Sequence, residues 1–196
     1  MDLTNKFILD ACCGPKHFWL DKNHKNTLYI DIRKEDKGFM KTRYNRCVQP
    51  NAVLDFRNLP FKDNSFKLIV WDPPHMVTDK GLTSFVKTYG SLKPETWQSD
   101  LTRGFNELWR VLDNYGVMVF KWCESNKKTR EVLALFHTKP LFGNGISKHN
   151  TKTSTYWYTF MKIPEQTSRS VCILCDKEVS FKGFCSRKCH DEYYYE

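Results

Sequence analysis

Eight cysteines divide unevenly along this 196-residue chain: Cys12, Cys13, Cys47 and Cys123 are scattered, whereas Cys172, Cys175, Cys185 and Cys189 crowd together near the C-terminus. In a reducing compartment such crowding points to a metal rather than to disulfides. Two short hooks, Cys172-Ile-Leu-Cys175 and Cys185-Ser-Arg-Lys-Cys189, can place four thiolates around one tetrahedral Zn²⁺. Such a site has no open coordination position, so the zinc would be structural. His190 adjoins the last cysteine and is the alternative fourth ligand, with Cys189 preferred. A second set of residues lies further forward. Asp10, Asp31, Asp55 and Asp72 each stand at the end of a short apolar run, and Asp72 is followed by Pro73, Pro74 and His75. The two prolines fix φ and carry no N–H, which leaves carbonyls free to face a ligand. Asp10 and Asp31 have the spacing of a strand, turn and helix followed by a second-strand acid, a geometry in which backbone approaches a nucleoside and the acid accepts from ribose hydroxyls. Incidental strand-end acids are the plain alternative. Cys12 and Cys13 have no paired base in view and read as small turn residues rather than reactive thiols.

The apolar runs that must position these acids are Lys6 to Asp10, Thr27 to Ile32, Ala52 to Leu54 and Lys67 to Trp71. All are short enough for strands. The spacing of Trp97, Leu101, Phe105, Leu108, Trp109 and Leu112 predicts a helix over 96–112, and further helices are expected over 36–44 and 129–136. Val117 to Trp122, after a turn at 114–116, and Tyr156 to Lys162 complete the strand pattern. Strands alternating with helices imply an α/β fold, a mostly parallel Rossmann-like sheet with helices on both faces, an antiparallel edge strand at its C-terminal side, and ligands beyond the carboxyl ends of the strands. The polar stretch 166–170 reads as a linker, which predicts a domain over 1–165 and a small zinc-binding module over 166–196. So short a module cannot bury a core of its own, and metal binding would supply its folding energy.

Hydrophobic residues make up 40% and charged residues 27% of the chain, which excludes a disordered polymer. No apolar run approaches the ~20 residues of a membrane span, and the first ten residues lack a secretory signal, so the expected location is the cytoplasm. The net charge is +9. The tail beyond residue 167 is balanced, so the surplus belongs to the main domain and suits a polyanionic partner. A lysine-rich surface kept for solubility is the alternative. Just after the Pro-Pro turn, Lys80, Lys87 and Lys93 mix with Phe85 and Tyr89, the composition of a nucleic-acid cleft or of a solvated helix with one buried face.

The run Asp55-Phe-Arg-Asn-Leu-Pro-Phe-Lys-Asp-Asn-Ser-Phe resembles the D-x-x-x-L-P-F-x-D-x-S-F segment of class I S-adenosylmethionine-dependent methyltransferases. Leu108-Trp-Arg-Val-Leu-Asp-Asn-Tyr-Gly-Val-Met-Val-Phe is similar to that family's helix, turn and fifth strand. The resemblance covers roughly residues 6 to 162. It implies a cofactor, S-adenosylmethionine, held by Asp10, Cys12, Gly14, Asp31, Asp55 and Phe56, with Asp55 and Phe56 at the adenine. The usual glycine-rich turn keeps only Gly14; Cys12 and Lys16 stand where the family often has glycine, and side chains there would crowd the methionine tail. Phe18 and Trp19 flank the cofactor or belong to the core.

Asp72-Pro73-Pro74-His75 resembles the Asp/Asn-Pro-Pro-aromatic motif of amino-group methyltransferases, which implies that these four residues are catalytic. An exocyclic amine on an aromatic ring is a poor nucleophile because its lone pair is delocalised. Hydrogen bonds from it to the Asp72 carboxylate and the Pro73 carbonyl would favour a tetrahedral nitrogen, at ~1.5–3 kcal/mol per charge-assisted bond. His75 occupies the stacking position. The implied acceptor is nucleic acid, adenine N6 in DNA foremost, with RNA or a protein glutamine as rivals and a non-catalytic zinc-bearing nucleic-acid binding protein as the rival of another class. The short start and D-P-P-H look like bacteriophage-encoded enzymes, which would place the protein in a host cytoplasm. The cysteine hooks resemble treble-clef zinc modules, whose job would be to grip nucleic acid or to dock on protein.

Overall fold

Four short apolar runs that each end near an aspartate pair side by side as parallel strands, and their carboxyl ends share one rim. The computed structural model describes residues 5–40, 43–80, 83–147 and 154–164, with 175, 186 and 188 beyond them. The chain divides into two units, Met1–Ile163 and Pro164–Glu196. In the first, β1 (Ile8–Asp10), β2 (Thr27–Asp31), β3 (Ala52–Val53), β4 (Phe66–Trp71), β5 (Leu112–Cys123), β6 (Phe142–Ser147) and β7 (Ser154–Met161) form a seven-stranded sheet in the order β3-β2-β1-β4-β5-β7-β6. β1 pairs in parallel with β2 on one side and β4 on the other, Asp10 lying opposite Tyr29 and Val70. The strand order therefore reverses at β1, which is where an open α/β sheet leaves a crevice.

β2 is buried along its whole length, as a parallel strand covered on both faces should be. α2 (Trp97–Val111) lays Trp97, Leu101, Phe105 and Leu108 into the core. Its Phe105 ring stacks on Phe136 at 4.2 Å between centroids. Gly104 brings the same helix close to the rim, since a Cβ there would overlap the Phe56 ring and press on Trp71. α1 (Ser84–Tyr89) begins at Thr83, whose side chain accepts from the Val86 N–H at 3.2 Å, and stops at Gly90 with φ +78°. α3 (Thr129–Leu133) is shorter than the expected 129–136 helix.

Two expectations change. No helix follows β1: residues 11–26 are turns, because Gly14 (φ +46°) and Lys16 (φ +54°) both take left-handed backbone around Pro15. No α-helix forms among the described residues of 36–44 either, where Arg43 takes a 3₁₀ turn. Gly38, at φ +90°, donates its N–H to the Tyr44 carbonyl instead, and a Glu35–Val48 bridge closes the loop. The crossovers flanking β2 thus carry no α-helix among the described residues. The antiparallel edge expected on the C-terminal side is present, with β7 as its inner strand. β7 pairs with β5 and also with β6, which forms the outer strand.

Candidate active site

A cleft of about 950 Å³ opens beyond the carboxyl ends of β1, β2 and β4. Its wall includes Cys12, Gly14, Asp31, Asp55, Phe56 and the whole Asp72-Pro73-Pro74-His75 turn. Nine of the ten residues expected at a cofactor or catalytic site in the main domain therefore share one space.

The exception is Asp10, which is fully buried and does not line the cleft. Its carboxylate accepts from Trp19 Nε1 at 2.6 Å and from the Cys12 N–H at 3.3 Å. Asp10 thus stands behind the wall, apart from the other nine, and holds the turn that carries Cys12. Burial pushes its pKa up to about 7, against the pull of the Trp19 hydrogen bond. Trp19 is half-buried behind the wall, edge-on to Tyr29 at 5.1 Å, whereas Phe18 lines the cleft. Lys16 does not crowd the cleft as expected. It adopts the left-handed φ that glycine would supply and sends its Nζ over the Tyr29 ring, 3.9 Å from the centroid. Burial, and then the surrounding carboxylates, push both the Cys12 and the Cys13 thiols up, which fits inert turn residues.

Asp31 Oδ2 accepts from the Gly14 N–H at 3.0 Å, and Oδ1 from the Arg33 N–H and Nε at 3.0 and 3.2 Å. A carboxylate offers about four lone-pair sites, so Oδ2 has room for one further donor, and a second requires Arg33 to let go. Asp55 is gripped from both oxygens by Arg57, at 2.6 Å from Nη2 to Oδ2 and 2.9 Å from Nε to Oδ1. The hydrogen bonds from Arg57 hold its carboxyl below the usual range. Arg57 also reaches Asp100 on α2 at 2.5 Å, tying the loop after β3 to the helix whose Gly104 meets Phe56. The acid is thus engaged within the chain, and Phe56 presents the ring at that wall.

At the opposite wall, Asp72 Oδ2 accepts from Lys121 Nζ at 2.5 Å, while Oδ1 is shut off from bulk water and has no partner. Burial raises the Asp72 pKa, opposed by the Lys121 charge and its hydrogen bond. His75 is 8% exposed, and burial, with Lys121 second, lowers its pKa to about 4. It is therefore neutral near pH 7 and carries no charge into the cleft. Its ring lies among Phe85 at 5.3 Å, Tyr89 at 6.4 Å and Trp122 at 6.4 Å. Gly90 packs its α-carbon side against Pro74, so α1 props the turn.

Sequence reasoning missed Lys121, Arg57 and Arg33. The signal for Lys121 was a lone cation inside the apolar run Val117 to Trp122; for the two arginines it was an i+2 position after a strand-end aspartate. Of the proposed zinc ligands, Cys172, Cys185 and Cys189 lie outside the described residues, as does His190; Cys175 is described and exposed. Among the described residues no cluster of three or more His, Cys, Asp or Glu could hold a metal, and no helix is long and apolar enough to cross a membrane.

The chain matches no protein-family model and no curated protein. Among solved structures it is similar to the [4+2]-cyclase SpnF, at 12% identity and TM-score 0.52 over 80% of this chain and 74% of that one. It is similar to a 1,6-didemethyltoxoflavin-N1-methyltransferase from Burkholderia thailandensis, solved with its substrate and S-adenosylhomocysteine, at 14% identity and TM-score 0.50 over 80% and 71%. It is likewise similar to an S-adenosylmethionine-dependent methyltransferase from Methanosarcina mazei, at 15% identity and TM-score 0.50 over 81% and 92%. Strand order, antiparallel β7 and these neighbours together establish that the first unit has the fold of the class I S-adenosylmethionine-dependent methyltransferases.

Proposed function

We propose that the chain is an S-adenosylmethionine-dependent methyltransferase acting on an exocyclic amino group of nucleic acid, adenine N6 in DNA foremost. One observation carries the reading: Asp31, Asp55 and Phe56 share a single open cleft with the Asp72–His75 turn, so a nucleoside cofactor and a planar acceptor have one room. Its volume of about 950 Å³ lies at the upper end of ligand sites, which run to ~1,000 Å³. The donor set fits as well, with spare acceptor capacity on Asp31 and an unpartnered oxygen on Asp72. Bound S-adenosylmethionine supplies an electrophilic methyl group on a sulfonium.

The chain's own residues do the rest. Asp31 accepts from the ribose, Phe56 faces the adenine, and Cys12 and Gly14 border the methionine tail. The torsion that orients an aspartate carboxylate is soft, so Asp72 can turn an acceptor to the amine while Lys121 holds the other oxygen. Together with the Pro73 carbonyl it draws the nitrogen towards tetrahedral geometry. Pro74 fixes the turn, and neutral His75 offers a ring for stacking. An adenine in a duplex would have to be extruded at a cost of a few kcal/mol, and the +9 charge supplies the attraction for the strand. Zn²⁺ on Cys172, Cys175, Cys185 and Cys189 rests on their spacing, and its role is structural. A bacteriophage origin and a host-cytoplasm location complete the reading and rest on the resemblance alone.

A second reading stands because fold alone does not fix chemistry, as a neighbour named a cyclase and not a methyltransferase illustrates. In that reading the chain binds nucleic acid without turnover. Methyl transfer from labelled cofactor to DNA, RNA and a glutamine peptide, with mass analysis of nucleosides, separates the possibilities. N6-methyladenine in the DNA arm supports the proposal; label in none of the arms, with cofactor bound by calorimetry, supports the second reading.

A further inference from the structure

We infer that Lys121 is a positioning residue for Asp72: its ammonium grips one carboxylate oxygen from β5 and so aims the other acceptor sites at the amino group of the substrate. The inference deepens the proposed amino-group chemistry and rests on it. Lys121 lies in β5 and Asp72 directly follows β4, whose last residue, Trp71, pairs with Phe120 of β5. The parallel register of β4 and β5 therefore sets the two side by side at the rim. Their side chains are 21% and 15% exposed and both line the cleft, so the pair is shielded yet reachable. The Lys121 ammonium also sits 5.9 Å from the Phe18 ring centroid and 5.8 Å from that of Trp157. Two aromatic faces on that side limit where the cation can go.

A carboxylate so placed needs a counter-charge. Asp72 faces Lys121 from β5, Asp10 from β1 and Cys12 from the following turn, with His75 on its own segment. Lys121 supplies the positive charge in this group. Burial favours the protonated acid, and Lys121 opposes it. A protonated Asp72 is a weaker acceptor and would offer its own O–H to the amine, so the function needs the ion. An N–H donor arriving with the substrate then takes the acceptor capacity that Lys121 leaves free, and both charges stay paired throughout.

The test compares wild type with Lys121→Met and Lys121→Arg. Carboxyl ¹³C titration of Asp72, assigned with Asp72→Asn, reads the pair directly and needs no turnover. In Lys121→Met the Asp72 midpoint moves to higher pH, and in Lys121→Arg it stays near wild type. On the acceptor identified by the labelling experiment, Lys121→Met lowers kcat by ~10- to 100-fold near neutrality, its acid limb shifts up in pH, and Arg restores most of the rate. An unchanged Asp72 midpoint in folded Lys121→Met overturns the inference, as does a loss that is equal at every pH and not rescued by Arg. If wild type methylates no acceptor, the functional reading fails by itself, and the titration still decides whether Lys121 controls Asp72.

Discussion

Asp10 and His75 stand at the rim of the same sheet and titrate in opposite senses on stability. Burial lifts Asp10 from 3.8 to about 7 in the folded chain. Its contribution is thus fully present below pH 3.8 and is lost as pH rises through about 7. Burial lowers His75 from 6.5 to about 4. The folded state then binds fewer protons than the unfolded one between pH 4 and 6.5, and stability falls as the solution is acidified through that window. The two slopes oppose each other in wild type. Asp10→Asn removes one of them, and its stability should fall by about 2 kcal/mol between pH 6.5 and 4.5 while no longer declining from pH 6 to 8. Urea midpoints across pH 4.5–8 check this, and a profile unchanged from wild type would refute it. Both shifts are products of burial, so neither was readable from residue type. What was readable was that each strand-end aspartate reaches the rim; that Asp10 faces inward to Trp19 depended on the turn geometry set by Gly14 and Lys16.

The elements that carry the site divide into those with a strong periodic signal and those without. α2 was legible because Trp97, Leu101, Phe105 and Leu108 recur at helical spacing, and β4 because an apolar run stops at Asp72. β6 was not, since Phe142-Gly-Asn-Gly-Ile-Ser carries two glycines, and it forms through pairing with the longer β7. Lys121 was hidden because a strand signal is judged by its apolar members. α2 also sets two predictions. Gly104→Ala would force its Cβ into the Phe56 ring. Such overpacking costs ~1–3 kcal/mol, and displacement of Phe56 should weaken cofactor binding in calorimetry. Unchanged stability and affinity would remove α2 from the account of that wall. At the C-terminal end of α2, Lys162 donates to the carbonyls of Trp109 and Leu112 at 2.9 and 2.8 Å and to Asn64 Oδ1 at 2.8 Å. A cation at a helix C-terminus contributes ~0.3–1 kcal/mol, so Lys162→Met should lose about that much in a urea melt while cofactor affinity stays as in wild type.

For the molecule as a whole, charge and cysteines make separate claims. A +9 chain that holds nucleic acid through phosphates should lose affinity linearly in log–log form as salt rises. Fluorescence anisotropy of a labelled oligonucleotide reads the slope, and a flat line would leave the charge to solubility. The cysteine hooks predict about one zinc per chain, lost in Cys185→Ser, by elemental analysis; zinc-free wild type would remove the metal from the account. The order of the acids along the chain made the parallel sheet and most of the cleft legible, because each crossover returns the next strand in the same direction. The ion pair that holds Asp72 was not, because Lys121 lies far from it in sequence; Arg33 and Arg57 stand two residues beyond the acids they grip, but an i+2 arginine in a loop follows no apolar period.

The proposed chemistry turns on one contact, the Asp72 carboxylate receiving a substrate amino group in the shared cleft. Single-turnover formation of N6-methyladenine in DNA, followed by mass spectrometry for wild type and Asp72→Ala at equal cofactor saturation, reads this contact. A rate lower by ~10²–10³-fold is expected in Asp72→Ala with cofactor still bound. Equal rates in the two proteins would contradict it.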